Sequence, residues 1–424
     1  MWKLHGDGKH LRAGEVVRPD ERLSWPRMVG FGAQHVIAMF GATFVFPLVM
    51  GLNANLAVMM SGVATILFLL IVQGRIPSYV GSSASFVGAV AAIRAAGGGD
   101  GTVTGSLLAV GVVLALVGLA IHLLGIQIIH RIFPPAVTGG VVMLIGFGMA
   151  YVAADVYWPK DPWVALLTML AGFFFIGVFR GFLGRIGVLL TLVFGFLLSW
   201  VLDLFGGPVR IDLGKVGEAA WVGLPELHGP VFEVSAIILV LPVVIALIAE
   251  NVGHVKAVGE MTGADVDGYM GRAVLADGVG TVVSTAVGGP ATTTYAENIG
   301  VMAATRVYST AAYYVAAVIA ILFGLCPKFG ALIAATPGGV LGGVTTILYG
   351  MIGLLGAKIW IENRVDLSAP ATMVPVGAGI ICAVGPVAFP VTDTFALSGI
   401  ALGTIVLLGG YHLLRAITPT TESA

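Results

Sequence analysis

Apolar runs of membrane-spanning length recur along the whole chain, and they limit its fold more than any other feature. A helix needs about 20 predominantly apolar residues to cross a bilayer. Only 10% of the 424 residues are charged, whereas soluble domains carry about 25%, so the chain cannot cover itself with a polar surface. The sequence therefore predicts an all-α integral membrane protein solvated by the lipid bilayer. Runs of spanning length lie at 29–50, 54–73, 104–125, 134–154, 162–179, 186–205, 235–256, 309–326, 338–357, 369–386 and 393–414.

Three further apolar segments are shorter or interrupted by polar residues. They lie at 79–95, 272–287 and 295–306, and they bring the predicted number of membrane segments to about 14. The polar stretch 206–233 divides seven segments from seven. We expect that stretch to be an extracellular or periplasmic linker.

Charge placement predicts the orientation in the membrane. Residues 1–28 are rich in charge and lack the apolar core of a signal peptide, so we expect a cytoplasmic tail. If the segments alternate from there, 16 of the 21 Lys and Arg residues fall on the cytoplasmic side, as the positive-inside rule requires. The sequence thus predicts a multi-pass protein of the plasma (cytoplasmic) membrane, with the C-terminal tail 416–424 also cytoplasmic.

The two halves carry related sequence patterns. PPAVTGGV (134–141) and PGGVLGGV (337–344) share the pattern P-x-x-x-x-G-G-V at the start of the fifth and twelfth segments. Because each half has an odd number of segments, the second half is expected to insert upside down relative to the first. GSSASF (81–86) and TTTYAEN (292–298) also correspond, each leading into a half-length helix. Interrupted segments at matching places in two halves predict a transport site between them.

Glu297 lies in the second of these interrupted segments. Gly288, Gly289 and Pro290 break any helix before it, and the threonines that follow favour extended structure. A helix is predicted to start near Thr294 or Tyr295, with Thr294 as its cap, so that Glu297 lies in the first turn. Non-helical backbone at membrane depth requires a protein or water-filled surrounding, which indicates a cavity. The alternative is that Glu297 and Asn298 only satisfy the helix start.

Three further ionisable groups lie inside the second half. Glu250 and His254 are four residues apart, so a helix places them on one face, where a histidine beside a carboxylate suits a proton switch. The alternative is that they only pair with each other. Asp277 is expected to support the pair in proton coupling, and Gln34 with His35 to support the site from the first segment.

Composition excludes several other functions. The formal net charge of −1 gives no reason to expect a nucleic-acid partner. Cys326 and Cys382 lie in apolar runs and predict neither a disulfide nor a metal site. Phosphate-loop, zinc-spacing and catalytic-triad patterns are missing from the sequence, so we expect no cofactor and no enzymatic activity. A membrane-embedded enzyme stays the competing interpretation, and only Glu250 with His254 approaches the groups that it needs.

The run ENIGVMAATR (297–306) resembles the signature of the nucleobase–ascorbate transporter family, also called nucleobase–cation symporter-2. QHVIAMFGAT (34–43), AENVGH (249–254) and GSS (81–83) also match, and the resemblance extends from about Glu21 to Arg415. Within the family the chain is most similar to the bacterial uracil or pyrimidine permeases.

The resemblance implies a fold of two inverted seven-helix repeats with two half-helices preceded by short antiparallel strands. It implies a core domain from 29–128 and 234–330, and a gate domain from 129–205 and 331–415 that also forms a homodimer. Substrate is expected between the third and tenth segments, bound by Glu250 and Glu297, with His254 in proton coupling. The other residues expected to line or support the site are Ala84, Phe86, Tyr295, Ala296, Asn298 and Thr305. Phe86 and Tyr295 offer rings for stacking, although Phe86 suits ordinary packing equally well.

The resemblance favours a symporter that imports uracil with a proton, by movement of the core against the gate. Sodium is the weaker choice of coupling ion, because no separate oxygen-rich site is evident. Ala84 stands where the uracil permease has Phe, and the smaller side chain leaves thymine, xanthine and uric acid open. A purine permease of the family is therefore one alternative. An anion exchanger or channel of the same architecture is another, although two carboxylates in the cavity argue against it.

Overall fold

The structure, a computed structural model, describes residues 2–11, 15–125, 127, 131, 133–206, 208–392 and 395–417. Within these residues the chain forms principal helices in the predicted order. They are α1 (Trp25–Met50), α2 (Ala54–Ile71), α3 (Val87–Ala95), α4 (Asp100–Leu124), α5 (Pro135–Gly148), α6 (Pro162–Gly177), α7 (Gly187–Leu204), α8 (Val243–Thr262), α9 (Met270–Ala286), α10 (Ala296–Thr305), α11 (Thr310–Gly324), α12 (Gly338–Glu362), α13 (Pro370–Val384) and α14 (Gly399–Ile417).

The predicted spans and the helices agree in order and kind. Eight helical stretches in the described part of the chain are long and apolar enough to cross a membrane. The bent pair of α11 and Pro327–Ala334, which meet at 80°, would make a ninth. The two segments that were predicted to lead into half-length helices, 81–86 and 292–298, do lead into short helices, since α3 has 9 residues and α10 has 10. The chain is thus a polytopic α-helical membrane protein.

Several short helices lie between the principal ones. A 3-10 turn, Ala84–Phe86, leads into α3, and Val234–Val240 precedes α8. α5 continues into a π-helical turn, Val152–Tyr157, and a 3-10 turn, Trp158–Lys160. The remaining short helices are Gly181–Arg185, Gly214–Glu218 and Asp267–Tyr269.

The described strands form three two-stranded sheets. β1 (Lys3–Leu4) pairs in parallel with β2 (Glu21–Arg22), and β5 (Ala388–Thr392) pairs antiparallel with β6 (Phe395–Ser398). The predicted start of the last span at 393 is wrong, because β6 occupies the chain before α14 begins at Gly399. Residues 393 and 394 themselves lie outside the described residues.

The third sheet joins the two halves of the chain. β3 (Val80–Ser82) pairs antiparallel with β4 (Thr292–Thr294), with Val80 opposite Thr294 and Ser82 opposite Thr292. β3 leads into Ala84–Phe86 and α3, and β4 leads into α10. Because the strands run in opposite directions, the two half-helices leave this crossing in opposite directions and begin close to it.

Glycine lets helices of the two halves pack closely. α5 packs against α12, where a Cβ at Gly146 would lie 2.1 Å from the backbone nitrogen of Gly353. α4 packs against α9, where a Cβ at Gly118 would lie 2.2 Å from the nitrogen of Leu275. Such small-residue contacts are typical of membrane helices. Each of these two contacts joins a helix of the first half to a helix of the second half.

The division into core and gate domains stays a prediction. Its boundary between residues 128 and 129 lies outside the described residues, and so do residues 418–424 of the C-terminal tail.

The predicted N-terminal tail is folded over its described residues, where β1 and β2 place it against the start of α11. We call residues 2–11 and 15–24 the N-terminal strap.

Candidate functional site

The antiparallel pair of β3 and β4 brings the starts of both half-helices near each other, one beyond each end of the pair. On one side, the Ser83 hydroxyl accepts a bond of 3.3 Å from the nitrogen of Ser85 at the turn into α3. On the other, α10 begins at Ala296 after Tyr295, which is extended, with φ −111° and ψ 124°. Glu297 lies in the first turn of α10, as predicted. The prediction that Thr294 caps this helix is wrong, because Thr294 lies in β4 and its hydroxyl contacts His254.

Each threonine of β4 is held by a different side chain. The Thr292 nitrogen donates to the hydroxyl of Thr281 at 3.0 Å, and the Thr293 hydroxyl lies 3.5 Å from Oδ2 of Asp277. The Thr294 hydroxyl lies 2.9 Å from Nδ1 of His254. Two helices, α8 and α9, therefore fix the strand that positions Glu297.

Glu250, Glu297 and His254 occupy the accessible side of this arrangement. All three are partly exposed, and Ala296 beside them is exposed, although the surrounding strand residues are buried. α8, which carries Glu250, packs against both α9 with Asp277 and α10 with Glu297, so the predicted acids lie on neighbouring helices. None of the ion pairs between described residues involves these acids. The site thus offers carboxylate oxygens, an imidazole and the N-terminal amides of α10 to a ligand.

Asp277 and Asn251 form a buried pair behind β4. Each is 1% exposed, and Nδ2 of Asn251 donates to Oδ2 of Asp277 over 2.7 Å. The other oxygens, Oδ1 of Asp277 and Oδ1 of Asn251, have no hydrogen-bond partner among the described residues. Buried acceptors without donors are rare and costly, so the pair has room for one more proton or donor. Asn251 was not predicted, although it is the residue next to Glu250.

The two predicted stacking rings are both buried. The Tyr295 hydroxyl donates to the carbonyl of Ser82 at 2.8 Å and accepts from the Thr43 hydroxyl at 3.2 Å. Its ring lies against Gly81, where a Cβ would come within 2.7 Å. Phe86 is fully buried in the main hydrophobic core. Ala84, by contrast, is partly accessible at the start of the turn into α3.

The predicted supporting residues lie at different places. Nδ2 of Asn298 donates to the carbonyl of His35 at 3.0 Å, which ties α10 to α1. Tyr313 of α11 packs on the His35 ring, with centroids 4.2 Å apart. Gln34 has a buried Oε1 without a partner among the described residues. Thr305 lies at the far end of α10, where its hydroxyl donates to the carbonyl of Val301.

A separate cavity lies between α5 and α12. It has a volume of about 530 Å³, and none of the predicted site residues lines it. Its walls are mostly apolar, and the buried Tyr349 hydroxyl there has no partner among the described residues. Its lining residues are Gly146, Phe147, Ala150, Ala153, Ala154, Trp158, Thr346, Tyr349 and Gly350. We base the candidate site on the carboxylates and the strand crossing, because this cavity offers no charged group.

Comparison with known proteins finds permeases that match most of the chain. The family model Xan_ur_permease, described as a permease family, matches residues 27–392. The putative pyrimidine permease RutG of Escherichia coli K12 is 44% identical over 411 residues, covering 95% of this chain and 92% of that protein. The uracil permease of Bacillus caldolyticus is 36% identical over 425 residues, covering 96% of each chain.

Solved structures share the fold at a much lower sequence identity than these relatives. The transmembrane domain of the bicarbonate transporter BicA from a cyanobacterium superimposes with a TM-score of 0.61, at 15% identity. The match covers 91% of this chain and 96% of that domain. At such identity the likeness concerns the fold alone.

Proposed function

This chain belongs to the permease family of the Xan_ur_permease model, and from that premise we propose that it imports uracil in symport with a proton. Its relatives are named as permeases, so it is a transporter, as predicted, and not an enzyme. The observation that carries the proposal is the pair Glu250 and Glu297, which are partly accessible, lie on helices in contact and have no ion-pair partner among the described residues.

Uracil suits these groups chemically. It is a planar imide with two N–H donors and two carbonyl acceptors. The carboxylates of Glu250 and Glu297 accept from the N–H groups, and the amides at the start of α10 donate to a carbonyl. Hydrogen bonds to an ionised group are roughly twice as strong as neutral ones. A base without these N–H groups would leave two carboxylates unpaired in a partly buried site, which is how small polar ligands are discriminated.

Proton coupling rests on the groups around β4. His254 contacts Thr294 of β4 and shares one face of α8 with Glu250. Asp277 has one buried oxygen without a donor, and a proton on this carboxyl would satisfy it. Because Glu250, Glu297 and Asp277 interact, their protonation is coupled and belongs to the group as a whole. Binding of a proton lowers the repulsion among them, which favours substrate entry.

Transport follows by alternating access. The core domain, with the site, moves against the gate domain, and substrate and proton leave on the cytoplasmic side, where both termini lie. One proton crossing gains about 2.3 kcal/mol per 100 mV, which supports roughly fortyfold accumulation of uracil. The gate domain also carries the homodimer contact in this proposal.

One alternative has a specific observation in its favour. Ala84 is small and partly accessible, which favours a wider substrate range that includes thymine, xanthine or uric acid. An anion exchanger of the same fold is the second alternative, and the likeness to BicA supports the shared fold only. Glu250 and Glu297 weigh against anions, because they repel a second negative charge unless they are protonated.

Uptake of labelled uracil into proteoliposomes tests the proposal. We expect uptake to need an inward proton gradient, to collapse with a protonophore and to persist without sodium. Thymine, xanthine and uric acid added as competitors define the range. Chloride or sulfate flux without any uracil uptake would overturn the proposal in favour of an anion exchanger, and sodium-dependent uptake without a response to the protonophore would overturn its proton coupling.

A further inference from the structure

The N-terminal strap contacts the chain at the far end of the half-helix that carries Glu297. The Val17 nitrogen donates to the carbonyl of Arg306 at 3.0 Å, and the nitrogen of Tyr308 donates back to the carbonyl of Val17 at 2.8 Å. The two bonds form a parallel bridge between Val17 and Val307, in the turn between α10 and α11. Arg306 closes α10 in a left-handed conformation, with φ 56°, which a residue other than glycine adopts only at a cost.

Thr310 at the start of α11 is a second anchor. Its nitrogen and its hydroxyl both donate to the carbonyl of Pro19, at 3.1 Å and 2.8 Å. The indole nitrogen of Trp2 donates to the same hydroxyl at 2.8 Å. Ser309 donates to the carbonyl of Glu21. Two distant parts of the strap therefore converge on one buried threonine.

A separate hydrophobic cluster lies between the strap and the start of α11. Val17 and Leu23 of the strap pack with Val307, Ala311 and Ala312, all of them almost fully buried. This cluster is distinct from the main core. The strap is thus attached by both hydrogen bonds and buried apolar surface, which distinguishes it from a solvated tail.

We infer that the N-terminal strap is a positioning element for α10 and sets the rigidity of the substrate half-helix. A helix of 10 residues is too short to be stable through its own hydrogen bonds, so its end contacts decide how firmly it is held. β4 fixes the start of α10 through His254 and Asp277. The strap fixes the other end, and together they hold Glu297 at its place in the site.

Hydrogen–deuterium exchange on the purified full chain without substrate tests this inference. Thr310→Val removes the hydroxyl and keeps the shape of the side chain, whereas Thr310→Ser keeps the hydroxyl and serves as the matched control. We expect the α10 amides to exchange about tenfold faster in Thr310→Val and to return towards the wild-type rate in Thr310→Ser. Peptides from α4 and α9 are the internal reference and should not change, because the strap contacts described above lie at α11 and the turn before it.

Two additional variants guard against a fold defect in Thr310→Val. Trp2→Phe removes one bond from the strap side and keeps an aromatic ring, and Val17→Pro removes the donor to Arg306. The inference is overturned if these variants release the strap amides while α10 exchanges as in the wild type.

The effect on transport rests on the proposed function and is measured separately. We expect Thr310→Val to raise the half-saturating uracil concentration about fivefold, as for loss of about 1 kcal/mol, with little change in the maximal rate. If the wild type transports no nucleobase, the proposed function fails, and the exchange result still decides the inference.

Discussion

Nδ1 of His254 lies 2.9 Å from the hydroxyl of Thr294, so the helix that carries Glu250 is bonded to the strand that leads to Glu297. A hydroxyl both donates and accepts, and Thr294 therefore serves the neutral ring and the charged ring alike. The contact is therefore compatible with either charge state of His254, and in the proposed mechanism it couples that charge to β4. This bond places the proposed proton switch in direct contact with the strand that leads into α10.

Thr294→Val is expected to weaken proton coupling. It keeps the β-branched shape and removes the partner of His254, so the ring loses its fixed orientation. A hydrogen bond of this kind contributes about 1 kcal/mol, which predicts about a fivefold loss of proton-driven uracil accumulation. The measurement is steady-state accumulation with and without a pH gradient, beside exchange of labelled for unlabelled uracil. Thr294→Ser is the control, and equal loss in Val and Ser variants would contradict a role for the hydroxyl.

Glu297→Gln and Glu250→Gln are each expected to impair uracil binding. The amide keeps the size of the side chain but loses the charge and one acceptor. Hydrogen bonds to charged groups contribute about 1.5–3 kcal/mol, which predicts roughly ten- to hundredfold weaker binding. Isothermal calorimetry on the purified protein measures this directly. Glu260→Gln is the matched control, since Glu260 is an exposed acid on the same helix, α8. Unchanged affinity in the Glu297 variant would remove that residue from the site.

Gly81→Ala is expected to disrupt the strand crossing. An added Cβ would lie 2.7–2.9 Å from the ring and hydroxyl of Tyr295, and the ring cannot move without breaking its bond to the Ser82 carbonyl. Overpacking of this kind costs about 1–3 kcal/mol, so thermal stability and uracil uptake should both fall. Gly377→Ala in α13 is the control, because a Cβ there meets nothing within 4 Å. Equal stability of the two variants would contradict the close packing of Tyr295.

The order of the helices was predictable because the bilayer sets their length. Most runs of apolar residues gave a helix within a few residues of the predicted place, although the last helix begins at Gly399 and not at 393. The short α3 and α10 followed from the polar residues that interrupt them. Glu297 was placed in the first helical turn by Gly288, Gly289 and Pro290, which prevent a helix before it. These are local effects that sequence spacing records.

The contacts that build the site were harder to predict because they join distant residues. The partners His254 and Thr294 are 40 positions apart, and Tyr295 and Ser82 are 213 apart. A hydroxyl in a strand of three residues has no periodic pattern that reveals its partner. The strap was missed for the same reason, since β1 and β2 have only two residues each.

Acidification is expected to release the strap through Glu21. Burial acts to raise the pKa of the Glu21 carboxyl, but hydrogen bonds from the Arg18 nitrogen and the His5 ring lower it overall. Both partners belong to the strap, so the ionised carboxylate stabilises the fold that the strap needs for docking above the ordinary value of 4.5. This stabilisation is lost as pH falls through the lowered pKa. The fluorine resonance of 5-fluorotryptophan at position 2 should therefore move towards that of an undocked strap in this range.

Two variants separate Glu21 from other acids. Glu21→Gln should remove the pH dependence of the Trp2 resonance and weaken docking at neutral pH. Asp7 is exposed, and side-chain and backbone hydrogen bonds from His10 also hold its pKa well below the usual range. These bonds lie within its own turn. Asp7→Asn should therefore keep the wild-type response. A loss of the response in Asp7→Asn would show that Asp7, and not Glu21, carries the pH dependence.

Ala84→Phe is expected to narrow the substrate range. Ala84 is the partly accessible residue in an otherwise buried stretch, 80–90, and it stands at the turn where β3 leads into α3. A ring there fills the space beside a bound pyrimidine. Because one methyl group in a tight pocket is worth about 1–3 kcal/mol, thymine should lose roughly ten- to hundredfold more affinity than uracil.

Competition of thymine, xanthine and uric acid against labelled uracil measures this range in both proteins. Ala84→Ser, which adds a single atom, is the control and should keep the wild-type order of competitors. If xanthine and thymine compete as well in Ala84→Phe as in the wild type, the side chain at position 84 does not face the substrate. The smaller residue would then carry no information about the preferred base, and the other residues around Glu250 and Glu297 would have to set it.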